Sequence, residues 1–236
     1  MQMMSWQMGR LGSRFALLFE PQKRRVMHSA VGRFLDRPLD LMVGLVEPDG
    51  TQRVLPFTER GEELHGCEQF ERLNSITFRG YSEKYKLRFE LNVHSVFYPQ
   101  DERLCLMPAF YLELRVNPFT KVRWNTPVQE KPPERVKLFV RLGRDETEFE
   151  SVSRDDGRAC LGMAYDQVLK PVVKEHPHKA GDYTPGVAAV REQIVSLNDG
   201  CAVDDDGRGL TLDLPVTDVG SGTKWRLVWG AFTGDP

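Results

Sequence analysis

The sequence predicts an all-β chain, a large two-sheet antiparallel β-sandwich with at most one or two short helices. Three observations predict it. Apolar and polar residues alternate with period two from one end of the chain to the other. Turn signals rich in Pro, Asp and Gly separate those runs. Helical periodicity is scarce, and many strands with few helices bury their faces best as two packed sheets.

Phe15, Leu17 and Phe19 open the pattern, and Leu39, Leu41, Val43 and Leu45 continue it. Pro48-Asp49-Gly50 then turns the chain into Val54-Leu55. Proline presets φ there and glycine accepts φ above zero, so a hairpin is expected. Ile76 and Phe78 end a further strand. Leu87, Phe89, Leu91 and Val93 alternate with Arg88, Glu90, Asn92 and His94, as in a strand with one buried and one wet face. Phe110, Leu112, Leu114 and Val116 return antiparallel to it. Asn117-Pro118 and Lys131-Pro132-Pro133 mark strand ends, because proline cannot donate to a ladder. Val136, Leu138, Val140 and Leu142 resume the alternation. Asp155-Asp156-Gly157 turns into Cys160–Tyr165, and a loop-rich stretch runs from Val168 to Gly186. Leu210, Leu212 and Leu214 form one late strand, and Trp225, Leu227, Trp229 and Ala231 the last.

Two segments carry helical spacing. Leu64, Cys67, Phe70 and Leu73 recur every three residues within Glu62–Leu73, although Gly66 interrupts them. Val187–Leu197 is the better short-helix candidate. No internal repeat or composition shift demands a boundary. The expected organisation is a tail over residues 1–14 and a single sandwich domain over residues 15–236.

With 236 residues, the chain buries roughly 70–75% of its unfolded surface and needs no disulfide or metal for stability. Its net charge of −2 provides no field to draw it to nucleic acid or anionic lipid. The basic run Lys23-Arg24-Arg25 reads as a solvated loop. Cys67, Cys105, Cys160 and Cys201 have no C-x-x-C spacing, which leaves zinc and thioredoxin-type readings unsupported. The apolar stretch Phe15–Phe19 is too short for a signal peptide. No window approaches the ~20 apolar residues of a membrane helix. A reducing, cytoplasmic setting is expected; the opening Met1-Gln2-Met3-Met4 also fits a misplaced start.

Candidate chemistry is thin, and no cofactor is indicated. His176-Pro177-His178 near Asp182 is the sole local cluster of metal-ligand types, and a polar loop is the stronger reading of it. Asp204-Asp205-Asp206-Gly207 resembles a calcium loop superficially, but its acids are contiguous and a strand follows, so a hairpin turn is expected. Gly220-Ser221-Gly222 lacks the context of a phosphate cradle, and no G-x-S-x-G elbow occurs. Paired carboxylates for glycoside hydrolysis are invisible among 34 acids. No catalytic residue can be assigned. Aromatic rings that stack on pyranoses are the best binding candidates: Tyr81, Tyr85, Tyr111 and Trp124.

One block adds a resemblance. The run Glu68-Gln69-Phe70-Glu71-Arg72-Leu73-Asn74-Ser75-Ile76-Thr77-Phe78-Arg79-Gly80-Tyr81 is followed by the Leu87–Tyr98 strand and the Asp101–Val116 return. With the ending Trp225–Pro236, it resembles the N-terminal β-sandwich domain of large (α/α)6-barrel glycosidases, the non-lysosomal (bile acid) β-glucosidase group and related bacterial proteins. The resemblance implies a supersandwich-like domain. Its partner would be a catalytic barrel, as a domain or subunit, that carries the carboxylates. By this reading the chain alone is catalytically inert.

Three functions compete. A non-catalytic domain of a glycosidase-like protein would show an exposed apolar patch where the barrel docks. A free-standing carbohydrate-binding module would line up aromatics along one face. A jelly-roll metal enzyme would bring His94, His176 and His178 within ligand distance.

Overall fold

The structure is a computed structural model, and it describes residues 3–9, 15–30, 37–95, 100–103, 107–119, 131–143, 148–153, 158–169, 186–217 and 223–233. The predicted Asp155-Asp156-Gly157 and Gly220-Ser221-Gly222 turns lie outside these residues.

The first sheet holds β1 (Trp6–Gly9), β2 (Ala16–Glu20), β3 (Arg25–Ser29), β4 (Arg37–Val46), β5 (Gln52–Val54), β6 (Glu62–Glu63), β11 (Arg135–Gly143), β15 (Ala202–Val203) and β16 (Gly209–Pro215). Its order is β1-β2-β3-β4-β11-β16-β15, with β5 on β4 and β6 on β5. The second sheet holds β7 (His65–Arg72), β8 (Ser75–Ser82), β9 (Leu87–His94), β10 (Ala109–Pro118), β12 (Glu148–Ser153), β13 (Ala159–Leu169), β14 (Gly186–Ser196) and β17 (Thr223–Thr233). Its order is β12-β13-β14-β17-β10-β9-β8-β7. Every pairing is antiparallel except the short β5–β6 contact. The expected all-β sandwich is therefore what the chain forms.

Period-two alternation places the core. In β10 and β17 alternate residues are buried, and the register sets Leu114 between Leu91 and Trp225, with Phe78 beyond Leu91. That inward row faces the first sheet, where Leu138 lies between Leu45 and Leu212. One contiguous cluster joins the two sheets. Phe19, Phe57 and Phe78 meet within it at ring separations of 4.7–5.2 Å, so an aromatic seam crosses the sandwich from β2 to β8. The expected hairpins form as well: β4 turns into β5 through Pro48–Gly50, where Glu47 N donates to Thr51 O at 2.8 Å.

Three expectations need correction. Of the helix candidate Val187–Leu197, all but Leu197 lies in strand β14. Its inward residues are Val190, Glu192, Ile194 and Ser196, and the two polar members hide the alternation. Residues His65–Arg72 of the other helix candidate form the edge strand β7. Gly66 sits at φ 57 inside a register shift between His65 and Glu68. The bulge adds a residue between Leu64 and Cys67, whereas Phe70 and Leu73, 41% and 104% exposed, lie off the core, so the three-residue spacing marks no common face. Finally, Trp6–Gly9 of the expected tail pairs with β2, and Met8 is buried in the core.

Candidate functional site

Chemistry-bearing residues fall into three regions. The first is a polar node inside the sandwich. Glu192 points inward from β14, between Ala231 of β17 and Met163 of β13. His28 points inward from β3 of the opposite sheet, across from Leu17. His28 Nε2 lies 2.9 Å from Glu192 Oε1, and both side chains are at most 1% exposed. The Tyr165 hydroxyl donates to Glu192 Oε1 and lies 3.3 Å from His28 Nε2. Trp229 Nε1 donates to Glu192 Oε2 at 2.9 Å. Gln167 Nε2 donates to Ser29 Oγ at 3.2 Å and extends the polar seam. Burial pushes the Glu192 carboxyl up, but the His28 charge and the Tyr165 and Trp229 hydrogen bonds outweigh it and hold the carboxyl below its ordinary range.

His, Glu and Tyr are the residue types of acid–base catalysis. A general base must come within hydrogen-bond reach of a substrate proton. With His28 and Glu192 closed from solvent, this node acts as an inter-sheet tie.

The second region is the outer face of the second sheet, whose two halves differ. On β7 to β10, charges alternate across the strands. Arg79 Nε donates to Glu90 Oε1 at 2.7 Å, and Arg79 Nη1 approaches Glu68 Oε2 at 3.6 Å. Glu113 accepts from Arg115 and, at 3.2 Å, from Arg226. These partners hold the Glu113 carboxyl below its ordinary range, although burial pushes it up. Arginine engages each of these carboxylates. In the half formed by β13, β14 and β17, Cys160, Ala164, Val195, Val228 and Phe232 share the outward positions with Asp166, Arg191, Gln193, Lys224 and Arg226. Val168 and Val187 stand opposite each other there, 43% and 60% exposed.

The third region comprises the sugar-binding and metal candidates. Tyr85 is buried in the core, where no sugar reaches its ring. Tyr81 is half-buried on β8; its hydroxyl donates to Glu68 at 3.3 Å and its ring packs edge-on against Phe119. Tyr111 stands on the outer face, directly across from His94. His94 is half-buried, and that burial holds its pKa below the ordinary value. Trp124, His176 and His178 lie outside the described residues. Tyr81 and Tyr111 are thus outer-face neighbours of the ladder, while Tyr85 is separated from them. Among the described residues, no group of three or more His, Cys, Asp and Glu is placed to hold a metal ion. Burial pushes the Cys67 thiol up to about 12, and Cys67 Sγ donates to Leu64 O at 3.1 Å. This thiol is chemically quiet. Among the described residues, no helix is long and apolar enough to cross a membrane.

Sequence reasoning missed Glu192 and His28. The available signal was an inward-phase Glu flanked by Val190 and Ile194, visible only once the segment is read as a strand. No protein-family model matches the chain, and neither a curated protein nor a solved structure does.

Proposed function

We propose that this chain is a non-catalytic β-sandwich domain of a glycoside-hydrolase-like protein, which packs against a separate catalytic barrel and shapes its sugar site. The observation that carries the reading is the divided outer face of the second sheet. One half is a self-satisfied ladder of Arg and Glu. The other carries an exposed apolar pair, Val168 and Val187, facing each other at the end of the β13–β14 ladder beside Ala189 and Asp166. Exposed apolar surface of this kind marks an interaction site. The resemblance of the Glu68–Tyr81 block supplies the kind of partner. The closed His28–Glu192 node supports the inert half of the reading.

The test is the native polypeptide, purified from its source and identified by mass spectrometry. The expected result is that sandwich peptides co-purify with a helix-rich barrel and with glycosidase activity. Val187→Lys and Val195→Lys, introduced at the native locus, should loosen that association. Hydrolysis of an aryl β-glucoside by the isolated chain would sink the proposal, as would a native form with no barrel attached.

A further inference from the structure

The outer face of the first sheet carries a groove that no function above uses. It measures about 640 Å³ and crosses β4, β11, β16 and β15. Val46, Phe139 and Val203 give it apolar surface, and Gln52, Lys137 and Thr211 line it with polar groups. Its far wall is the turn Asp204-Asp205-Asp206.

That wall is built and held. Arg141 Nη1 donates to Asp204 Oδ2 at 2.6 Å, and Arg141 Nη2 donates to Asp206. Asp204 N donates to Gly209 O at 2.9 Å and closes the hairpin. Any side chain at Gly209 would overlap the Asp204 carboxylate and the Arg141 stem, so glycine is required for the clamp to close.

Two charges are left over. Lys137 sits directly across from Asp213, which would be its natural partner. Asp213 is taken by Arg135 instead, Nε to Oδ1 at 3.0 Å. Arg141 engages Asp204 and Asp206 but leaves Asp205. Among the described residues, neither Lys137 nor Asp205 has an ion-pair partner.

The lining selects a ligand class. With Asp204 and Asp206 held by Arg141, a simple anion still meets Asp205 and a simple cation still meets Lys137. An apolar ligand would strip water from both leftover charges without replacing its hydrogen bonds, which is costly. A neutral molecule that both donates and accepts, with C–H faces to lie on valine, suits every group. We propose that the groove binds a saccharide ring, its hydroxyls donating to Asp205 and accepting from Lys137 and Gln52, its C–H face on Val46 and Val203. The groove lies on the sheet opposite the proposed docking face, so either proposal can fail without the other.

The test titrates the intact chain with methyl β-D-glucopyranoside, N-acetylglucosamine, maltose and cellobiose, following backbone amides by NMR. A shallow polar site fits a Kd on the order of 1 mM. At least one sugar should give saturable shifts centred on Lys137, Val203, Asp205 and Thr211. Asp205→Ala and Lys137→Ala should each weaken it about tenfold or more, with unchanged circular dichroism. Arg135→Ala, which frees Asp213 to capture Lys137, should weaken it several-fold although Arg135 lies outside the groove. The proposal is overturned if no sugar shifts these amides saturably, if the two alanine variants bind as the parent does, or if glycine, used as a zwitterion probe, binds there and the sugars do not.

Discussion

Glu192 and Glu47 both reach from one sheet to the other, and they are neutralised in opposite ways. Glu192 is dry: His28, Tyr165 and Trp229 surround it, and no Arg or Lys contacts it among the described residues. Glu47, just after β4, accepts from Ser82 of β8 and is 3% exposed. Its charge partner is Arg53, 3.2 Å away but out of hydrogen-bond alignment. The Arg53 side chain is 16% exposed and also holds Glu62 at 2.7 Å, a residue largely in solvent. The first site is a closed set with fixed partners. The second is an ion pair that drains towards water. A closed set loses everything when one member goes, because the others are left buried without partners. A site with an outlet can rearrange.

The largest expected effect tests the closed site. Glu192→Leu should cost about 3–5 kcal/mol in urea unfolding, since it strands a buried imidazole, hydroxyl and indole N–H. Adding His28→Leu should recover part of that loss, with a coupling of at least ~1 kcal/mol. A single-variant loss below ~1 kcal/mol would erase the contrast.

Acid sharpens it next. The folded Glu192 carboxyl ionises below its unfolded value of 4.5. Its contribution is therefore present above about pH 4.5 and is lost as pH falls through the lower, folded value. The urea midpoint of the parent should drop more steeply below about pH 4.5 than that of Glu192→Gln. Parallel curves would place the acid sensitivity elsewhere.

Glu47→Leu comes third, at about 1–3 kcal/mol. Arg53 can turn wholly to Glu62, and Ser82 alone loses its acceptor. A loss equal to that of Glu192→Leu would remove the distinction between dry and drained sites. The surface ladder gives the smallest effect. Arg79→Ala should cost ~1 kcal/mol or less, as partly exposed pairs do, and high salt should shrink the difference further.

Much of the fold was legible because strand alternation is a local signal. Leu87–Val93 and Phe110–Val116 declare both their faces within eight residues, and they pair as expected. The turns at Pro48–Gly50 and Asp204–Gly207 were readable from their residue types. β14 was not legible, because Glu192 and Ser196 occupy inward positions that the alternation reserves for apolar groups. β7 was obscured by a bulge that shifts its phase at Gly66. Among the site residues, Tyr111 was correctly placed on the non-core face, whereas Tyr85, read as part of a polar connection, turned inward.

The sequence by itself determined the strands, their turns and the wet face of most of them, because each follows from neighbours a few residues apart. Tertiary structure alone decided which strands remote in the chain adjoin, which side chains could be buried with charge, and which charges were left over. Strand order places β11 beside β4 and β14 beside β17 across long stretches of chain. A carboxylate on β14 becomes tolerable in the core only when β3 from the other sheet brings His28 to it. Lys137 is left without an ion-pair partner among the described residues because Arg135 reaches Asp213, which stands directly across from it. Pairings between remote segments depend on distances in space, and no local pattern in the chain encodes them.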